Sequence, residues 1–249
     1  MKKDYKTVRD EKRRIRKLIW DMMVERGVAR FPLPPHNRIP NFVDSEKCSL
    51  HLDRLKEWRR AEVVKVNPDS PQRSIRFKVL KEGKTLIMPT PRLREGFLII
   101  EPEKVKPPLL PEAVTIKGSF KFGKRLGSVR ELEKIGRIDF IVEGSVAVNR
   151  KGERLGKGEG YGDIEFGILR EMGLVDKNVP IATTVHEIQV INERIPQGIH
   201  DVSIDYIITP KALIKAERSR ERPSGILREV LDAEKIEKIP LLMEILGIH

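Results

Sequence analysis

Apolar residues recur at helical spacing from the start of the chain. Val8, Ile15, Leu18, Ile19, Met22 and Met23 give one face of a segment that predicts a helix over 6–26, ended by Gly27. A proline-punctuated stretch follows, from Phe31-Pro32-Leu33-Pro34-Pro35 to Pro40, which is incompatible with regular helix. Residues 45–60 read as a second helix, with Leu50, Leu52 and Leu55 beside Arg54, Lys56 and Arg59. After Pro68 and Pro71 the pattern shortens to strand-sized units at 75–79, 86–88 and 97–100.

The second half alternates between the two periods. A short helix is predicted at 129–135, a nearly continuous apolar strand at 138–142, an apolar piece at 146–148 that either extends it or starts another, and a helix at 164–172 ended by Gly173. Further strands are expected at 181–185, 188–191 and 202–208, then a charged run and two weak helical segments around Pro240. Buried apolar runs alternating with helices predict an α/β fold whose mostly parallel sheet is covered on both faces. No linker demands a second domain. The expectation is one domain over 1–249, with an N-terminal basic helix (1–30) and a C-terminal charged tail carrying short helices (210–249).

Composition narrows the class. The chain is 39% hydrophobic and 35% charged, enough for a core inside an ionic surface. No apolar stretch approaches the length of a membrane span, and the opening residues are charged rather than the apolar core of a secretory signal, so a cytoplasmic protein is expected. The single cysteine, Cys48, cannot form an internal disulfide or a thiolate metal cage. A net charge of +12 favours an anionic ligand, whether nucleotide, polycarboxylate or nucleic acid.

Three segments carry candidate chemistry. The first is Arg154-Leu155-Gly156-Lys157-Gly158-Glu159-Gly160-Tyr161-Gly162-Asp163, where alternate glycines bare the main-chain N–H groups between a strand and a helix. With Arg154 and Lys157 alongside, this reads either as an anion cradle or as a flexible turn with Asp163 as helix cap. It is neither a Walker A loop nor a convincing dinucleotide fingerprint. The second is Lys12 and Arg16, four apart on one helix face, either a polyphosphate clamp or a solvated face. The third is Asp201, where a loop enters an apolar strand, either a ligand for Mg²⁺ or a turn former.

Taken in order, the basic pair, the Arg-Leu-Gly-x-Gly-x-Gly-Tyr-x-Asp loop and the strand His200-Asp201-Val202-Ser203-Ile204-Asp205 resemble the 5-formyltetrahydrofolate cyclo-ligases. The likeness is closer to the branch described as methenyltetrahydrofolate-synthetase-domain-containing. It extends over His36-Asn37-Arg38-Ile39-Pro40-Asn41-Phe42, Lys65-Val66-Asn67-Pro68-Asp69, Pro89-Thr90-Pro91-Arg92-Leu93-Arg94 and Val142-Glu143-Gly144-Ser145-Val146-Ala147.

The resemblance implies a three-layer α/β/α fold like that of sugar-phosphate isomerases and CoA transferases. It also implies ATP- and Mg²⁺-dependent closure of a reduced folate or related pterin, 5-formyltetrahydrofolate, to 5,10-methenyltetrahydrofolate. By position, it assigns the polyphosphate to Lys12, Arg16, Arg154, Lys157 and the amides of Gly156, Gly158 and Gly160. Mg²⁺ falls to Asp163 and Asp201, and Tyr161 is set against nucleotide or pterin; Arg154, Lys157 and Tyr161 are the residues expected closest to the chemistry. Two positions depart from the family pattern: Glu159 replaces a basic residue and Gly162 a tyrosine. The acidic folate-contacting segment expected near the second helix is not recognisable, Asp44-Ser45-Glu46 being out of pattern. These departures keep open a nucleotide-binding protein of the same fold without cyclo-ligase activity, acting on another pterin or as an RNA-associated regulatory module. RNA binding is the less favoured, because the aromatic strands of an RNA-recognition module are absent.

Overall fold

The computed structural model describes residues 2–218 and 220–248. Met1, of the charged opening, Ser219, of the basic run at 215–222, and His249 lie outside them. Eight strands form the central sheet: β1 (Val63–Val66), β2 (Thr85–Pro89), β3 (Phe97–Ile100), β4 (Lys124–Leu126), β5 (Phe140–Gly144), β6 (Ile181–Thr184), β7 (Tyr206–Ile208) and β8 (Leu213–Lys215). They lie in the order β8-β7-β6-β5-β1-β2-β3-β4. The five strands from β7 to β2 are mutually parallel, while β8, β3 and β4 add antiparallel edges. This is the mostly parallel, helix-covered α/β sheet expected from the pattern.

Each strand splits its side chains between two cores. Val64, Val66, Leu86, Phe140 and Val142 face one core, which also takes Ile15, Ile19, Trp20 and Met23 from the long helix α1 (Lys2–Glu25). Ile87, Ile141, Ile181 and Ile207 face helix α3 (Tyr161–Glu171), which buries Phe166 and Leu169. The period of two is what sends neighbours to opposite faces.

Four local readings are corrected. The segment expected as a strand at 75–79 is helix α2 (Arg73–Lys81). Ile75, Phe77 and Val79 alternate, but Ile75, Val79 and Leu80 also share a helical face, and Pro71 starts the preceding turn where its missing N–H costs nothing. Buried Arg76 then donates to the carbonyls of Asn67, Asp69 and Val114. The strand expected at 188–191 is a 3₁₀ turn, Glu187–Gln189, closed by reciprocal bonds between His186 and Gln189. The helix expected at 45–60 is a 3₁₀ segment, Ser45–Arg54, followed by a short helix, Lys56–Arg60. Of the strand expected at 202–208, only Tyr206–Ile208 pairs in the sheet, because Val202 and Ile204 donate to Asp163 and Gly152 instead.

One residue breaks the apolar rule at the centre of the sheet. Lys65 lies between Val64 and Val66 on β1 and points toward α3, fully buried. Its Nζ donates to Asn67 Oδ1, Glu143 Oε1 and Glu165 Oε2, each at 2.6 Å. Burial pulls the ammonium down, and Glu143 and Glu165 more than reverse this, leaving it above its ordinary value. The bridge ties β1, β5 and α3 together. Burial pushes the Glu165 carboxyl up to about 7 against the opposing pull of Lys65.

Removing one member of a buried charge set leaves the others uncompensated. Lys65→Met is expected to lower the unfolding free energy by about 3–5 kcal/mol in urea titrations, whereas Lys65→Met with Glu143→Leu and Glu165→Leu recovers most of the loss. A carboxyl raised from 4.5 to about 7 holds a proton in the native state that the unfolded chain releases. Its contribution therefore falls as pH rises through that window. Glu165→Gln is expected to flatten the fall of unfolding free energy between those two pH values, measured at closely spaced pH.

Candidate functional site

The parallel strands end where the glycine loop crosses from Arg154–Leu155 into α3. Gly158 and Gly160 both take positive φ, at 105° and 73°, conformations that a side chain would strain. Gly160 is the residue before the first helical turn, so the bare amides of the loop lie at the positive end of α3. Arg154 fixes the loop to the sheet: buried, it donates to Gly144 O at 2.9 Å and to Asp163 Oδ1 at 3.1 Å.

Two cavities, of about 780 and 410 Å³, meet along this loop and share Asn37, Arg154, Gly156, Lys157, Gly160 and Asp163. The smaller is strongly cationic. Arg9, Lys12, Arg13, Arg16, Arg154 and Lys157 line it against only two carboxylates, Asp163 and Asp201. Helix α1 supplies the first four because Lys12 and Arg16 project from one side while Ile15 and Ile19 are buried on the other. Arg16 Nε donates to Gly156 O at 2.8 Å and its guanidinium lies against Gly158.

The cations and carboxylates expected to face a polyphosphate and a metal are paired with each other. Lys12 Nζ lies 2.5 Å from Asp201 Oδ2, and Arg154 bridges to Asp163. Asp201 also accepts from the Gly198 amide, and Asp163 from Val202 N at 3.0 Å. Burial raises the Asp163 carboxyl, with Arg154 opposing and the Asp201 charge adding to the rise. Tyr161 is half-buried at the cavity wall, with Lys235 Nζ 5.8 Å from its ring centroid. The structure thus brings all the sequence-singled residues to one loop.

The larger cavity holds residues that the sequence reading gave no role. Asp69 lines it, its carboxyl raised by burial with Lys157 and Arg76 opposing, and so does Glu165. Glu143 lies just beneath, its Oε2 buried without a hydrogen-bond partner and 3.0 Å from where a Cβ on Gly162 would stand. The signal was available: a lysine inside the run Val63-Val64-Lys65-Val66 and a glutamate ending Phe140-Ile141-Val142-Glu143 have no place on a covered sheet unless they meet. At the opposite wall, a tight turn closed by Thr90 Oγ1 on Gly96 O (2.8 Å) holds Arg92 and Leu93 at positive φ. It presents Arg92 to Glu159 at 3.4 Å. Glu159 also pairs with Lys157 at 2.8 Å. Burial favours its neutral form, but Lys157 and Arg92 win and hold its carboxyl below the ordinary value.

No helix among the described residues is long and apolar enough to cross a membrane. Residues 8–210 match the model of the 5-formyltetrahydrofolate cyclo-ligase family. Among similar chains, the methenyltetrahydrofolate synthase domain-containing protein of Mus musculus is 41% identical over 240 residues, covering 93% of this chain and 62% of that one. The Homo sapiens protein of the same description is 39% identical over 240 residues, with 93% and 60% covered. This chain therefore spans about three fifths of the length of those relatives. The 5-formyltetrahydrofolate cyclo-ligase of Mycolicibacterium smegmatis is 34% identical over 86 residues, 34% of this chain and 41% of that one. In fold, the chain matches the Aquifex aeolicus 5,10-methenyltetrahydrofolate synthetase with a TM-score of 0.50 at 21% identity, covering 85% of this chain and 96% of the other. With the family model spanning most of its length, this chain belongs to the 5-formyltetrahydrofolate cyclo-ligase family.

Proposed function

We propose that the protein, acting as one unit over the whole chain, closes 5-formyltetrahydrofolate to 5,10-methenyltetrahydrofolate at the expense of MgATP. The observation that carries this reading is the loop of bare amides at the start of α3, with four cations and two carboxylates converging on it between two adjoining cavities. The cationic cavity suits a polyphosphate and the larger one a pterin. In the reaction the formyl oxygen takes the γ-phosphoryl group and ADP departs. N10 then attacks the activated carbon, loses its proton, and phosphate leaves. Such chemistry needs positioning and charge neutralisation more than a protein nucleophile.

Lys12, Arg16, Arg154 and Lys157 hold the phosphates in this reading, with the amides of Gly156, Gly158 and Gly160 beside them. No group of three or more His, Cys, Asp or Glu able to hold a metal occurs among the described residues. Asp163 and Asp201 nevertheless fit Mg²⁺, a hard cation that needs only one or two carboxylates when phosphate oxygens and water complete its shell. When bound, the ion neutralises the charge that builds on the phosphates. The resting pairs Lys12–Asp201 and Arg154–Asp163 make this exchange electrically balanced. With a polyphosphate against the cations and the metal held by the carboxylates, neither set would be left bare. Tyr161 lines the larger cavity, against the pterin in this reading, and Asp69 offers a carboxyl to the donor groups of the pterin.

A second reading has an observation of its own. Glu159 already occupies the space between Lys157 and Arg92 that an anionic group would take. A carboxylate there repels polyphosphate. This favours a nucleotide-binding protein of the same fold that acts on another pterin or serves a regulatory role.

Turnover of 5-formyltetrahydrofolate, followed by the near-ultraviolet absorbance of the methenyl product, separates the two. Product formation that requires both ATP and Mg²⁺ is expected; MgATP binding with no product establishes the second reading. Asp163→Asn and Asp201→Asn are each expected to weaken Mg²⁺-dependent ATP binding by about tenfold or more in calorimetric titrations. If neither does, the assignment of both carboxylates fails. Under the first reading Glu159→Lys leaves turnover unchanged or raises it.

A further inference from the structure

The family match ends at residue 210, yet the chain beyond it is built into the glycine-loop side of the molecule. Buried Arg222 donates to Val179 O at 2.6 Å and Ser203 O at 2.9 Å, and pairs with Asp205. Ile226 N donates to Glu171 Oε2 at 3.2 Å. A Cβ on Gly225 would stand 2.1 Å from that same oxygen, and one on Gly167 would stand 3.4 Å from Gly225 O. The segment therefore lies backbone-close on α3. Helices α4 (Ala233–Lys238) and α5 (Pro240–Leu246) follow, anchored by buried Ile239, Leu241 and Leu242.

Between this segment and α3 is a third cavity of about 190 Å³. Ile164 from α3 and Ile226, Leu227, Val230 and Leu231 from the C-terminal segment give it apolar walls, with Asp232 and Lys235 at the rim. It shares Gly158, Gly160, Asp163 and His200 with the cationic cavity. His200 Nδ1, at that boundary, is buried without a hydrogen-bond partner. From the same segment, Lys235 reaches back over the Tyr161 ring, its Nζ 3.2 Å from where a Cβ on Gly160 would stand.

We infer that the C-terminal segment builds the subsite for the base of the nucleotide whose phosphates lie in the cationic cavity. This rests on the nucleotide reading above and extends it to residues outside the family match. Size and chemistry select the occupant. A dry cavity of roughly 150 Å³ accepts benzene, so this one has room for a flat heterocycle and none for a charged polyphosphate. Apolar walls suit the faces of such a ring, and the shared boundary at Gly158 and Gly160 places it next to the phosphate cradle. His200, Asp232 and Lys235 are the polar residues at its edge for ring nitrogens or ribose oxygens.

The test compares MgATP with magnesium tripolyphosphate, which carries the charge without the base, by calorimetric titration of the full chain. The native protein is expected to bind ATP about tenfold or more tightly than tripolyphosphate. Filling the cavity with Val230→Phe or Leu227→Trp removes that advantage and leaves tripolyphosphate affinity unchanged, which also establishes that the variant is folded. Ile226→Ala, which enlarges the cavity, reduces the advantage severalfold and serves if a filling variant does not fold. An ATP advantage that survives both filling variants at full size overturns the base subsite and leaves the nucleotide reading standing. Failure of the native protein to bind either ligand overturns the nucleotide reading, and the subsite with it.

Discussion

A single ammonium group at the centre of the sheet links the layers on one side of the molecule. Lys65 is completely removed from water, and its three partners come from the turn just after its own strand, from the neighbouring strand and from the helix that follows the glycine loop. Isolated, a buried charge costs several kcal/mol. The fold therefore admits only arrangements in which β1, β5 and α3 stand at the spacing that satisfies it. Because Glu143 and Arg154 both bear on the start of α3, the same constraint sets where the loop amides point. Hydrocarbon packing on the α1 side tolerates small shifts; the polar side does not.

The site itself is arranged as closed pairs. Each cation singled out for phosphate has a carbonyl or carboxylate already in contact: Lys12 with Asp201, Arg16 with Gly156 O, Arg154 with Asp163, Lys157 with Glu159. An excess of unpaired arginines in a half-buried cleft would repel one another in the free protein. Internal pairing relieves that repulsion and keeps each side chain in a defined rotamer. Under the proposed function, anion binding would be an exchange of partners, its free energy the difference between two good electrostatic arrangements.

Much of this was legible in the chain because its signals were redundant. Strands β2, β3, β5 and β6 are apolar runs bounded by charge or glycine, and α3 starts behind a glycine series that serves no other element. Elements whose signals conflict were read less well. Ile75, Phe77 and Val79 alternate as a strand does, and only the burial of Arg76 against three carbonyls resolves the segment as a helix. Short 3₁₀ pieces such as Glu187–Gln189 are held by side-chain caps, which periodicity does not report. The residues expected to converge lie on elements whose apolar faces fix their orientation. Asp69, Glu143 and Glu165 escaped notice because each looks ordinary alone and gains meaning only from a neighbour about 70 to 100 positions away.

The glycine loop gathers its neighbours from both extremes of the chain. Lys12 reaches Asp201 across 189 positions and Arg16 reaches Gly156 across 140, while Lys235 comes from the last two dozen residues. Contacts of such separation form late, because long loops must close before they reward the chain. During synthesis the loop amides therefore appear before Asp201 and Lys235, the later residues that complete their surroundings. Lys12 and Arg16 of the basic helix wait for partners made 189 and 140 positions later. The cleft is complete only once Lys235 has been made, so a fragment that lacks the basic helix or the segment around Lys235 carries the loop without its surroundings.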